Sequence, residues 1–175
     1  MEARSRLFVN IRLEIALEST VGSPRAAAAL VAEAARNFVS GGEAQRLQVA
    51  LQELLQNSLE HGNLEISGPE KASSLSSETF ERLLHERAGT ARHAGKLIHL
   101  EAELSADAFR FRVRDAGSGF SFDAAHSAAG LTLRGRGLTI ARDFFDTVEF
   151  GAGGAEVSCE RRLEPREAGD SRADL

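Results

Sequence analysis

Tryptophan and tyrosine are absent from this chain, and cysteine occurs once, at Cys159. A lone thiol excludes an intrachain disulfide and fits a reducing, cytoplasmic setting. Cys159 lies in an alternating apolar run, the setting of a buried inert thiol rather than a nucleophile. Without Trp or Tyr, recognition of a base must rest on hydrogen bonds and aliphatic walls. No apolar run approaches the roughly 20 residues that span a bilayer, and no signal peptide opens the chain. A soluble intracellular protein without a membrane partner is expected. Positive charge is in deficit: 21 Lys and Arg stand against 26 Asp and Glu, for a net charge of −5. That balance lacks the basic footprint of a nucleic-acid binder, so no nucleic-acid partner is expected. Basic residues cluster only locally, at Arg110/Arg112/Arg114 and Arg134/Arg136, and such clusters suit a phosphate or an acidic partner. His85, His93, His99 and His126 have neither metal-ligand spacing nor cysteine partners, which argues against zinc.

What is present reads as one domain, since 175 residues suffice for a core without metals or disulfides. Residues 1–10 are expected to fray, residues 11–163 to form the domain, and the charged stretch 164–175 to be disordered. Ile11, Leu13, Ile15 and Leu17 alternate with polar residues, as in a half-buried strand. Ser23-Pro24 predicts an N-cap followed by proline at the first helical position, and Gly41-Gly42 the stop of that helix, whose apolar residues include Leu30 and Phe38. Leu47, Ala50, Leu51, Leu54, Leu55 and Leu59 recur at helical spacing, the clearest pattern in the chain, with His61-Gly62-Asn63 closing the helix. Residues 65–77 read as a surface loop, followed by a short helix around Phe80, Leu83 and Leu84. Two strands follow, one over 97–104 and one with Phe109, Phe111 and Val113 alternating with arginines. A helix opens at Arg134-Gly135-Arg136-Gly137, and a hairpin pairs Val148/Phe150 with Val157/Cys159. Hairpin-linked strands with grouped helices predict a two-layer α/β sandwich. Its sheet would be mixed, mostly antiparallel, and covered on one face by helices.

Three clusters carry chemistry. Glu53 and Asn57 lie four apart on one helical face bordering the leucine stripe. An amide oxygen there can ligate Mg²⁺, and a carboxylate can deprotonate an attacking hydroxyl. By spacing alone, a solvated polar face is the commoner outcome. Asp115 ends an apolar strand and precedes Gly117 and Gly119, so a carboxylate that can accept from an exocyclic amine such as adenine's stands beside permissive backbone. A simple turn explains the same residues. Gly135 and Gly137 open a helix whose backbone amides would attract a phosphate, with Arg134 and Arg136 flanking; a helix-entry turn serves equally well. No Gly-Lys-Ser/Thr follows, so this is no P-loop, and the six-residue dinucleotide fingerprint is missing.

In their order, Glu53-x-x-x-Asn57-x-x-x-His61-Gly62, Asp115-x-Gly117-x-Gly119 and Gly135-x-Gly137 resemble the N, G1 and G2 boxes of the GHKL superfamily. The resemblance covers roughly 11–163. The run from Leu51 to Ser67, with its Glu60-His61-Gly62-Asn63-Leu64-Glu65 segment, looks closest to the anti-sigma-factor serine/threonine kinases and their regulator-associated relatives, and the run from Phe144 to Phe150 supports the same subgroup. The resemblance implies a Bergerat fold that binds ATP with Mg²⁺. Asn57 would be the metal ligand, Glu53 the general base and Asp115 the adenine reader. Gly117, Gly119, Gly135 and Gly137, with Leu138 beside them, would shape the nucleotide loops, and residues 120–133 would form a short lid. His61 would either cap its helix or line the pocket. The serine-kinase relatives often carry an arginine two or three positions ahead of the second glycine turn. Here Arg134 abuts Gly135, so Arg134 or Arg136 takes the terminal phosphate, or neither does. The activity implied is phosphorylation of a partner, in the family a sigma factor or a small anti-sigma-factor antagonist. The alternative is a nucleotide-dependent interaction switch without phosphotransfer. A homodimer would suit the resemblance.

Overall fold

The computed structural model describes residues 9–74, 76–119 and 134–164, with the backbone alone at 134–136. Five strands, β1 (Asn10–Glu18), β2 (Leu97–Ser105), β3 (Ala108–Arg114), β4 (Thr147–Gly151) and β5 (Glu156–Arg162), form one sheet in the order β1-β2-β3-β5-β4. The sheet expected to be mostly antiparallel is antiparallel in all four of these pairings. Strand alternation sets its two faces. Ile98, Leu100, Ala102, Leu104, Phe109, Phe111, Val113, Val157 and Cys159 are buried on one side, with Leu100 opposite Val113 and Phe111 opposite both Ala102 and Cys159. The hairpin pairs Val148 with Cys159 and Phe150 with Val157, in the register the alternation predicts.

Helices α1 (Ser23–Ala35), α2 (Gly41–Asn57) and α5 (Arg134–Phe144) cover the apolar face, and α2 packs against both of the others. The leucine stripe of α2 is entirely buried. Phe38 meets Phe109 edge-on at 6.2 Å between centroids, and Phe145 packs edge-on against Phe111 at 5.6 Å. Burial pushes the Cys159 thiol far above its ordinary pKa, so it behaves as a small apolar side chain. The two remaining helices, α3 (Gly68–Ser73) and α4 (Ser77–Ala88), lie between α2 and β2 in the chain. No described helix is long and apolar enough to cross a membrane.

Several local expectations are corrected. Ser23 does not cap α1; Gly22 occupies that position, and the Ser23 hydroxyl donates to the carbonyls of Glu18 and Thr20. Gly41-Gly42 do not stop α1, which ends at Ala35. They open α2, because Ser40 accepts from the Glu43 amide as its N-cap. Leu30 is 55% exposed rather than core. The arginines of β3 do not form a basic patch: Arg110 pairs with Glu160, Arg112 with Glu101 and Arg114 with Glu156 across the open face of the sheet. Residues 65–77 are not all loop. Ser67-Gly68-Pro69-Glu70 forms a complete capping box with proline in the first turn, and this nucleates α3. The expected frayed start, through residue 8, and the expected disordered tail, from residue 165, lie outside the described residues.

The Ser67 hydroxyl and backbone amide, with Arg87, hold the Glu70 carboxyl down to about 2. Its contribution is therefore present above the ordinary glutamate range and lost as pH falls through about 2. Ser67→Ala should loosen α3 by about 1 kcal/mol. The expected reading is faster amide exchange at Glu70 and Lys71, with Phe111 in the central strand unchanged.

Candidate functional site

Helix α2 does not end cleanly at Asn57 but widens into a π-helical turn over Ser58–Asn63. Leu64 closes it with a bond from its amide to the Leu59 carbonyl, 2.9 Å, five residues back. Such single π turns favour functional positions because they displace a helix face without ending the helix. The turn is held from outside by a buried charge: Glu60, 2% exposed, accepts from Gln56 at 2.7 Å and pairs with Lys71 of α3. His61 lies in the same turn, and its Nδ1 stands 2.6 Å from the Ile66 carbonyl. A carbonyl only accepts, so the proton sits on Nδ1 and His61 secures the exit from the turn.

The turn presses Gly62 against the end of β3. A Cβ on Gly62 would overlap the Asp115 carboxylate, and one on Gly117 would overlap the Gly62 carbonyl. Both positions therefore require glycine for close approach. Gly119 has a φ of +77° and abuts the Gly153 carbonyl in the β4–β5 turn, a second reason for glycine in this loop. The Asp115 amide donates to the Ala155 carbonyl at 3.0 Å, and the Gly117 amide donates to Asp115 Oδ1 at 2.9 Å. Burial raises the Asp115 carboxyl above its ordinary value, while the Gly117 amide, the Ser58 hydroxyl and the Lys96 ammonium pull the other way.

Glu53 and Asn57 are both half-buried one turn apart on α2, and the described residues engage neither side chain in a hydrogen bond or ion pair. Gly137, buried in the first turns of α5, lies so close to Glu53 that a Cβ there would stand 2.5 Å from Oε2. The carboxylate thus faces the N-terminal end of a helix, where positive partial charge gathers and an anion is stabilised. Leu138 follows, half-buried against the core. The backbone of Arg134, Gly135 and Arg136 lies in α5, as expected; the side chains of Arg134 and Arg136 and the expected lid at 120–133 lie outside the described residues.

The three sequence boxes therefore converge on one edge of the helix layer: Asp115 and Gly117 meet α2 through Gly62, and α5 meets it through Gly137 and Glu53. A carboxylate suited to an amine, a helix N-terminus suited to phosphates and an unengaged acid–amide pair sit around it. Residues 17–160 match the histidine kinase-like ATPase domain. The chain belongs to that family. A histidine kinase-like ATPase domain binds ATP, and the antiparallel sheet backed by helices is its Bergerat fold. No curated protein matches the chain.

Ser58, Asn63 and Lys96 were missed in the sequence. Asn63 adjoins the Glu-x-x-x-Asn-x-x-x-His-Gly spacing and could have been noticed there. Nothing marks Lys96, which lies 33 residues further along the chain.

The Asp115 carboxyl should titrate above the ordinary aspartate value when followed by side-chain NMR. Lys96→Met should raise it further by removing a favourable positive charge. In the empty domain, the upward shift is a stability contribution whole below the unfolded-state value and lost as pH rises through the folded one. Gly62→Ala should push the carboxylate outward and bring its titration back toward ordinary; an unchanged midpoint would refute the packing of Asp115 on Gly62.

Proposed function

We propose that this ATPase-family domain is an anti-sigma-type serine/threonine kinase that phosphorylates a partner regulatory protein with Mg-ATP. The observation that carries this reading is the half-buried, unengaged Glu53 carboxylate beside Gly137, at the N-terminal end of α5. A carboxylate so close to a phosphate cradle is poorly placed for mere nucleotide retention, because it repels the phosphates. It is well placed to receive a proton from a hydroxyl approaching the terminal phosphate.

Asp115 reads the adenine amine, with Gly117 and Gly119 giving the base backbone clearance. Gly135 and Gly137, with Leu138, form the phosphate entry of α5, and Arg134 or Arg136 covers the terminal phosphate. Among the described residues no three His, Cys, Asp or Glu side chains cluster as a metal site. Asn57, a hard oxygen donor on the same face as Glu53, would hold Mg²⁺ together with the phosphates. The metal would supply charge neutralisation across the phosphates. In the transfer, the serine or threonine oxygen of the partner bonds to the γ-phosphorus, the bond to the β–γ bridging oxygen breaks, and ADP leaves. The hydroxyl proton passes to Glu53. The partner would be a sigma factor or an anti-sigma-factor antagonist, the latter accepting phosphate, and the domain would act as a homodimer.

A second reading, a nucleotide-dependent switch without transfer, is favoured by one feature. Arg134 abuts Gly135 instead of preceding it by two or three positions.

Asn57→Ala should abolish Mg-ATP binding and transfer together. Glu53→Gln keeps size and hydrogen bonding but loses the basic lone pair, so ATP should still bind while transfer falls on the order of 10²–10⁴-fold. The measurement is acid-stable label on serine or threonine of a co-purifying partner incubated with γ-labelled ATP. Undiminished label with Glu53→Gln removes Glu53 as the base. Wild-type protein that binds ATP and partner but transfers nothing leaves the switch.

A further inference from the structure

Asn63 is completely buried, and its side-chain amide joins three segments distant in the chain. Its Oδ1 accepts from the Ala116 amide at 2.7 Å, and its Nδ2 donates to Ser19 Oγ at 2.8 Å. The Ser19 hydroxyl proton is already committed to the Lys96 carbonyl at 2.7 Å, so the Ser19 oxygen can only accept from Asn63. The amide orientation is thereby fixed without ambiguity, with the oxygen toward Ala116. Lys96 returns to the main chain of the same residue, its Nζ donating to the Asn63 backbone carbonyl at 3.1 Å and to Glu65 Oε1 at 3.0 Å. Ala116 is the residue between Asp115 and Gly117, and Lys96 is the cation whose charge partly offsets the burial that raises the Asp115 carboxyl. The Asn63 side chain therefore fixes the turn that carries Asp115, while its main-chain carbonyl helps to hold a cation that favours the ionised form of that carboxyl.

We infer that Asn63 is a positioning residue for base recognition: its side-chain amide holds the Ala116 turn, sets the position of Asp115 and so controls discrimination of the purine 6-substituent. This rests on Asp115 being the adenine reader. A residue that only stabilised the fold would affect every nucleotide alike. One that positions Asp115 would affect ATP more than inosine triphosphate, which carries a carbonyl oxygen in place of the amine. A hydrogen-bonded carboxylate displaced from its partner forfeits about tenfold or more in affinity.

The test is calorimetric affinity for ATP and inosine triphosphate in wild type, Asn63→Ala, Asp115→Asn and the double variant, with thermal melting as a folding control. Asn63→Ala should weaken ATP by about tenfold and inosine triphosphate far less, collapsing the preference. The double variant should show no further collapse beyond Asp115→Asn, because both changes remove the same interaction. Should Asn63→Ala not fold, Ser19→Ala carries the question. It frees the amide to turn while leaving Asn63 in place, and a smaller loss of preference is expected. Equal weakening of both nucleotides, or an unchanged preference in whichever variant folds, overturns the inference while Asp115→Asn still collapses the preference. If Asp115→Asn leaves the preference intact, the adenine reading falls and takes the inference with it.

Discussion

The Asp115 carboxylate rests directly on the backbone of Gly62, and the site is organised around that contact. It joins the C-terminal end of a core helix to the end of a central strand, two elements separated by the whole α3–α4 segment. The approach is closer than any side chain at residue 62 permits. It also removes a charged group from water, which raises the Asp115 carboxyl. Local donors oppose that cost: the Gly117 amide and the Ser58 hydroxyl, with Lys96 acting at longer range. A carboxylate held this way keeps an oxygen available for a donor while its orientation is already settled, the condition for selective recognition of an amine.

The frame behind this contact is rigid for ordinary reasons. Helix α2 buries its leucine stripe between α1, α5 and the sheet, so Glu53 and Asn57 project from an element that tertiary packing holds on three sides. Site residues on such an element are placed more precisely than loop residues. The π turn then alters the helical phase beyond Asn57, and the pairing of buried Glu60 with the partly exposed Lys71 braces it against α3. Such a pair contributes little net stability, but removing Lys71 leaves the charge of buried Glu60 uncompensated. Its effect is to specify a conformation. The open face of the sheet carries interleaved arginines and glutamates that neutralise one another, which leaves the edge of the helix layer as the chemically distinctive surface.

Much of this was legible from residue order. The alternation in β1, β2 and β3, the register of the last hairpin and the buried stripe of α2 follow from periods of 2 and 3.6, which record directly which side faces the core. The three glycine-bearing boxes were legible as well, because close backbone approach admits only glycine. Boundaries set by capping were less so. Ser23 reads as an N-cap, but the path of the chain turns its hydroxyl back onto Glu18 and Thr20, and the serine that does cap a helix is Ser40, at the start of α2. Likewise, Gly41-Gly42 reads as a stop until the preceding serine is seen to start a helix there. Arg110, Arg112 and Arg114 read as a basic cluster because sequence shows neighbours along a strand, not the glutamates on adjacent strands.

By itself, the sequence determined the two-layer fold, the core faces and the glycine-bearing boxes where segments approach closely, since each depends on local period or on glycine's missing side chain. Tertiary structure alone decided that Glu53 faces Gly137, that Asp115 sits on Gly62, and that Asn63, Ser19 and Lys96 share one hydrogen-bonded network. Those relations join residues up to 84 positions apart, as Glu53 and Gly137 show, and no periodicity encodes a distance across packed elements. They arise only when burial brings the segments together and every buried donor and acceptor must find a partner.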